Sequence, residues 1–198
     1  MKKADRVIRI TVSVFLGILA FAVALSLYSL IRLEYSSSRL EDERCFSVMD
    51  VIIYGSSSES VSGSFKVLDS ESHTIAELER SWQSDRVCID FISIKLKKGY
   101  VYLPYRIYGN RPGSVKSGIN LKRYYFSGCR CLLYGNNIDP EEKKLLSFVS
   151  RSAFNSRVRL LSSRIDFVTL DLSSCKSGIE YLIQGSPDGK INLLPIDE

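Results

Sequence analysis

The stretch from Ile10 to Ile31, ITVSVFLGILAFAVALSLYSLI, holds no charged side chain. A helix rises about 1.5 Å per residue, so a run of this length matches a bilayer's hydrocarbon core of about 30 Å. The first constraint on the chain is therefore a membrane-spanning helix over residues 10–31. Lys2, Lys3, Arg6 and Arg9 precede it against the single acid Asp5, whereas Arg32, Arg39 and Arg44 follow it diluted by Glu34, Glu41, Asp42 and Glu43. Positive flanks resist translocation, which places the short amino end, residues 1–9, in the cytoplasm and the remainder across the membrane.

A cleaved secretory signal is the competing interpretation, because Ala20-Phe21-Ala22 and Ala22-Val23-Ala24 both have the small-x-small spacing a signal peptidase accepts. A signal's apolar core usually spans about 7–15 residues. Here Leu25, Leu27, Tyr28 and Leu30 carry the hydrophobic character past both sites. An uncleaved signal anchor is the expectation. No cysteine lies within or just after the run, which argues against lipid modification at the membrane face.

The formal net charge of +5 looks basic until the anchor is set aside. Without Lys2, Lys3, Arg6, Arg9 and Asp5, 23 Lys and Arg face 21 Asp and Glu, so most of the excess belongs to topology rather than to a partner. The chain beyond the anchor has the usual size of one domain. The expected organisation is residues 1–9 as a cytoplasmic end, 10–31 as the anchor, 32–44 as a stalk or linker, and 45–198 as one extracytoplasmic domain.

Along that domain, apolar and β-branched segments alternate with turn residues. Strands are expected over Cys45–Tyr54, Val61–Leu68, Thr74–Trp82, Val87–Leu96 and Tyr100–Tyr108, forming an antiparallel meander. Thr74-x-x-Glu77 also fits a helix capping box, but Ala76, Leu78 and Trp82 alternate with Glu77, Glu79 and Ser81 in a strand's period of two. Pro104 cannot donate a ladder hydrogen bond, so its strand should lie at an edge or bulge there. Shorter strands are expected at Asn120–Phe126 and Arg130–Tyr134, after the loop Asn110-Arg111-Pro112-Gly113-Ser114.

Asp139-Pro140-Glu141-Glu142 announces the main helix, with an N-cap aspartate, a first-turn proline and two acids at the positive end of the helix dipole. Leu145, Leu146, Phe148, Val149 and Ala153 have helical spacing, and Asn155 is the expected stop. Strands at Arg157–Leu161, Ile165–Leu172, Ile179–Gln184 and Ile191–Leu194 complete the pattern. The fold class is α+β: a single N-terminal transmembrane helix followed by a mainly antiparallel β domain with one main helix.

Catalytic chemistry finds little support. The only histidine, His73, sits in the polar turn Asp69-Ser70-Glu71-Ser72-His73. Cys129-Arg130-Cys131 lacks the paired CxxC spacing of a closed zinc site, and no glycine-rich phosphate loop precedes a helix. No metal and no cofactor are expected. The five cysteines, Cys45, Cys88, Cys129, Cys131 and Cys175, are too few for a disulfide scaffold, and their odd number leaves one thiol unpaired or bridged to another chain. Cys129 and Cys131, with Arg130, Lys122 and Arg123 nearby, leave open a thiol-disulfide function. In a strand, however, the i, i+2 pair shares one face and is equally suited to burial.

One stretch departs from an even charge distribution. The 48 residues between Asp90 and Asp139 contain no acid, but hold Lys95, Lys97, Lys98, Arg106, Arg111, Lys116, Lys122, Arg123 and Arg130. Seven of the eleven tyrosines share it: Tyr100, Tyr102, Tyr105, Tyr108, Tyr124, Tyr125 and Tyr134. Tyrosine beside cations suits anionic polymers, glycans or protein partners. Tyrosines that simply fill a sheet's core explain the same composition. The expected function is a membrane-anchored, non-catalytic binding or assembly module. Its candidate surface is Lys97, Lys98, Tyr102, Tyr105, Arg106, Lys122 and Arg123. Its candidate partners are an anionic envelope component or another envelope protein, and the predicted orientation argues against nucleic acid.

Overall fold

Strand, helix and sheet assignments come from a computed structural model, which describes residues 2–42, 46–110, 118–128 and 130–196; side chains of residues 2–9, 42 and 46 are outside that description. Cys45, Cys129, Arg111 and Lys116 of the sequence analysis, and the Arg111–Ser114 part of its loop, lie outside the described residues. The chain is α+β, an N-terminal apolar helix followed by antiparallel sheets and a few short helices.

The first helix, α1 (Lys2–Ser37), does not end with the apolar run at Ile31. It continues two turns further, and Leu33, Ser36, Ser37 and Leu40 are all buried. Within the segment expected as a stalk or linker these four side chains are covered, while Arg32, Glu34, Tyr35, Ser38, Arg39 and Glu41 are exposed. The Lys97 backbone N–H donates to the Ser37 carbonyl at 2.9 Å and to the Leu40 carbonyl at 3.1 Å, which ties the helix end to a strand turn.

Two five-stranded sheets form the body. One carries β1 (Glu41–Asp42), β6 (Lys98–Gly109), β5 (Val87–Lys95) and β10 (Ile165–Asp171) in that order, with β7 (Ile119–Asn120) also on β6. The other runs β12 (Ile191–Pro195), β11 (Glu180–Gly185), β2 (Phe46–Ser56), β3 (Val61–Leu68) and β4 (Thr74–Trp82). The expected single meander therefore divides after Trp82, and β5 and β6 form a hairpin in the other sheet. The sheets approach each other where β6 meets β2 and β11. There Tyr102 packs on Gly185, where an added Cβ would lie 2.3 Å from a Tyr102 ring carbon. The first eight residues of β5 are buried, because one face of its sheet meets the other sheet while helices cover the opposite side.

Pro104 lies at a bulge. Asp90 pairs with Arg106 and Phe91 with Pro104, so Tyr105 is the extra residue on β6. On the other edge of β6, β1 pairs at Lys98–Gly99 and β7 at Arg106–Ile107, and Pro104 falls between them. No ladder needs its missing N–H there.

α3 (Pro140–Ala153) begins as its cap predicts, with the Asp139 carboxylate accepting from the Glu141 and Glu142 amides at 2.9 and 3.2 Å. Leu146, Val149 and Ala153 are buried beneath it, while Leu145 and Phe148 are half-buried.

Three expected strands differ. Residues 157–161 form α4 (Ser156–Leu161), because Asn155 does more than stop α3: its side chain accepts from the Arg157 amide at 3.1 Å and caps a new helix. Within Asn120–Phe126, the Asn120 side chain accepts from the Lys122 amide at 3.0 Å and starts α2 (Lys122–Tyr125), leaving β8 (Phe126–Ser127) as a two-residue remnant. Arg130–Tyr134 is extended only in β9 (Arg130–Cys131) before a 3-10 turn over Leu132–Tyr134.

Candidate functional site

The acid-free stretch does not form one patch. Lys97 and Lys98, at the β5–β6 turn, both pair with Glu41, whose carboxyl is held below its ordinary range by the Lys97 hydrogen bond first and by the two charges second. Tyr102 is buried and donates its hydroxyl hydrogen bond to the Ser186 carbonyl at 2.7 Å. Tyr105 is half-buried between the rings of Phe154 and Phe167. Arg106 donates to the Asp90 carboxylate at 2.8 Å. Arg123 is exposed with its guanidinium over Tyr124, and Lys122 lies 4.7 Å from the centroid of Phe154. Tyr108, Tyr125 and Tyr134 are buried, so sheet and helix packing accounts for most of the tyrosine content.

Asp90 organises the most elaborate polar cluster. Besides Arg106, its carboxylate accepts from Tyr108 Oη at 3.0 Å and Thr169 Oγ1 at 2.7 Å. Three strands, β5, β6 and β10, supply these groups. Burial and the hydrogen bond to Asp90 raise the Tyr108 hydroxyl above its ordinary range. Three donors converge on one carboxylate, which is how a buried charge is stabilised rather than how a reactive group is exposed.

A different concentration of positive charge forms where α1 leaves the apolar run. Arg32 stacks its guanidinium 4.2 Å from the centroid of Phe148 on α3. With Phe148, a groove of about 590 Å³ is lined by Arg32, Arg130, Lys143, Lys144 and Arg151, with Pro140 and Ser147. Phe148, Arg32 and Arg151 also line a second depression, with Lys122, Phe154 and Ser29. Six cations thus surround two adjoining hollows, and no described lining residue is an acid. Lys144 has a partner in Glu141 at 3.2 Å, and Lys143 donates to the Gly135 carbonyl. Low-dielectric walls lined by one sign of charge focus a field that attracts anions.

Of the groove cations, only Lys122 belongs to the surface expected from the sequence. Lys143, Ser147 and Arg151 are four residues apart, as are Lys144 and Phe148, so one face of α3 was readable as basic. Its pairing with Arg32 was not, because that depends on α1 docking beside α3.

Among the described cysteines, Cys88 and Cys131 are buried and Cys175 half-buried, all as free thiols. Burial pushes Cys131 up to about 12 and Cys88 and Cys175 up to about 11. The thiolate is the reactive form, so these are inert positions. No group of three or more metal-ligating side chains occurs among the described residues. No protein-family model matches the chain, and comparisons with curated proteins and with solved structures return no match.

Proposed function

We propose that the chain is a single-pass membrane-anchored binding or assembly module, which takes an anionic envelope component or the acidic surface of another envelope protein. The observation that carries this reading is the groove shared by α1 and α3: Arg32, Arg130, Lys143, Lys144 and Arg151 line it without a described acid. Lys122 and Arg123 of the acid-free stretch extend the same positive character on α2, while Lys97, Lys98 and Arg106 are held in ion pairs. The charge flanks of the apolar run support an orientation with the amino end in the cytoplasm and the β-rich domain outside it. The buried Cys131 thiol, pushed up to about 12 by that burial, favours this module over an anchored thiol-disulfide protein using Cys129 and Cys131.

Capture after in-cell cross-linking tests the proposal. Arg130→Glu, Lys144→Glu and Arg151→Glu combined should abolish partner recovery and leave the fold nearly intact, since isolated surface changes usually cost less than about 0.5 kcal/mol each. Recovery with the parent chain should fall as salt rises, because the Debye length shrinks from about 10 Å at 0.1 M to about 3 Å at 1 M. Capture indifferent to both would refute the electrostatic groove. Phosphatase and fluorescent-protein fusions after the last residue test the orientation: fluorescence without phosphatase activity would reverse it.

A further inference from the structure

The most exposed large apolar side chain among the described residues is not in the membrane-length helix. It is Leu160 on α4, at 83 % exposure, against 69 % for Ile31, the most exposed in the helix. Its neighbour Leu161 is 64 % exposed. α4 is held on the body by Val158, which is buried, so the two leucines face outward from a fixed position. Two consecutive leucines left in water are unfavourable unless something apolar covers them.

Their position identifies the cover. Leu161 lines a shallow depression together with Leu30, Ile31, Glu34 and Tyr35. Leu30 and Ile31 are the last residues of the apolar run, which marks where the hydrocarbon gives way to headgroups. α4 is therefore level with the membrane boundary. Its sequence SRVRLL adds Arg157 and Arg159 and no acid. A short helix with apolar residues and arginines is the composition that settles in a bilayer interface.

From this we infer that α4 rests on the bilayer that α1 spans, with Leu160 and Leu161 among the outer acyl chains and Arg157 and Arg159 among headgroup phosphates. The inference relies on α1 being a membrane span. Phospholipid is the occupant because the surface is continuous with the span and complementary in charge to anionic headgroups. The domain would then be seated on the membrane rather than held away from it, with the α1–α3 groove opening near the headgroup layer.

Tryptophan quenching by brominated phospholipids tests the contact in the full chain reconstituted in phosphatidylcholine vesicles containing a minority of phosphatidylglycerol. The one native tryptophan, Trp82, is buried against Phe65 and supplies an unquenched reference. Phe21→Trp reports on the span, and Leu160→Trp reports on α4. Both variants should lose most of their added emission, the second mainly to bromines near the headgroup end of the chain, with a blue-shifted maximum. Omitting phosphatidylglycerol, or adding Arg157→Glu and Arg159→Glu, should weaken quenching at position 160 but not at position 21. Quenching at position 21 with unquenched, water-like emission at 160 would overturn the inference and leave the anchor standing. Blue-shifted but unquenched emission at 160 would assign the cover to protein, such as a second copy, and equally overturn it. No quenching at position 21 would overturn the span and the inference together. Quenching at 160 indifferent to lipid charge and to arginine reversal would overturn the headgroup contact.

Discussion

Arg164 grips the carboxylate of Glu34 with two hydrogen bonds, Nε to Oε2 at 2.6 Å and Nη2 to Oε1. Glu34 lies one turn beyond the apolar run on α1, and Arg164 lies just before β10, so the contact bolts the helix to the sheet. The pairing raises the Arg164 pKa further above its already high value. Its energy is small nonetheless, because the Glu34 side chain is 61 % exposed and water screens the pair. A double-mutant cycle with Glu34→Gln and Arg164→Gln should give a coupling of about 0.2–1 kcal/mol, as exposed pairs do. A coupling of several kcal/mol would mean that this ion pair, rather than apolar burial, holds the helix to the body.

Asp90 presents the opposite case. It is 6 % exposed and serves Arg106, Tyr108 and Thr169 together. Removing one partner from a buried pair leaves an uncompensated charge and costs about 3–5 kcal/mol. Asp90→Ala should sit near the low end, since Arg106 retains some access to water, and Asp90→Asn should cost less by keeping a hydrogen-bond acceptor. Denaturant midpoints measure both. An Asp90→Ala chain as stable as the parent would show that the cluster is not structural and reopen it as a site.

Asp50, on β2, has one carboxylate oxygen buried with no hydrogen-bond partner among the described residues. Burial, and secondarily the charge of Glu180, raises its pKa, while Lys66 lowers it. A raised carboxyl resists ionisation in the folded chain, so the fold loses stability as pH rises through the unfolded pKa, and the loss is complete above the folded pKa. That penalty is absent below the unfolded value of about 3.9. Asp50→Asn should therefore raise the unfolding midpoint at neutral pH, and the difference should close as pH falls through that window. A lower midpoint for the variant at neutral pH would contradict the sign.

Cys131 and Cys88 should ignore a thiol-directed alkylating agent in the folded chain at a pH near the ordinary thiol value of about 8.5, and react on unfolding. Peptide mass spectrometry assigns the sites. Rapid labelling of Cys131 in the native protein would favour the thiol-disulfide reading.

Local chemistry was the legible part of this sequence. β3 and β4 begin and end where alternation and turns put them, and Asp139-Pro140 starts α3 as its cap chemistry requires. Features that depended on distant partners were not legible. The turn Gln83–Arg86 reads alike for a hairpin and for a crossing between sheets, so the division after Trp82 was hidden. An Asx turn at Asn120 and a helix cap at Asn155 outweighed strand propensity in the segments immediately after them. Tyr102 looked like a surface tyrosine until Gly185 provided the space for its ring. The docked face at the end of α1 was written as Leu33, Ser36 and Ser37, with Leu40 just past the helix, but two serines carry much of it and hydropathy passes over them. The basic groove needed that docking, because Arg32 stands far in sequence from Lys143 and Arg151.

The most direct measurement is the unfolding of the 198-residue chain carrying Leu33→Ala, followed in detergent by the near-ultraviolet signal of the β-rich body. Leu33 is 1 % exposed and lies two residues beyond the apolar run. If the apolar helix and the body are one unit, the substitution should cost about 2–5 kcal/mol and lower the midpoint of the whole body, as Leu146→Ala on α3 should. A Leu33→Ala midpoint equal to the parent's, with Leu146→Ala still destabilised, would mean that the helix end is a free stalk and would dismantle both the groove and the membrane-seated domain.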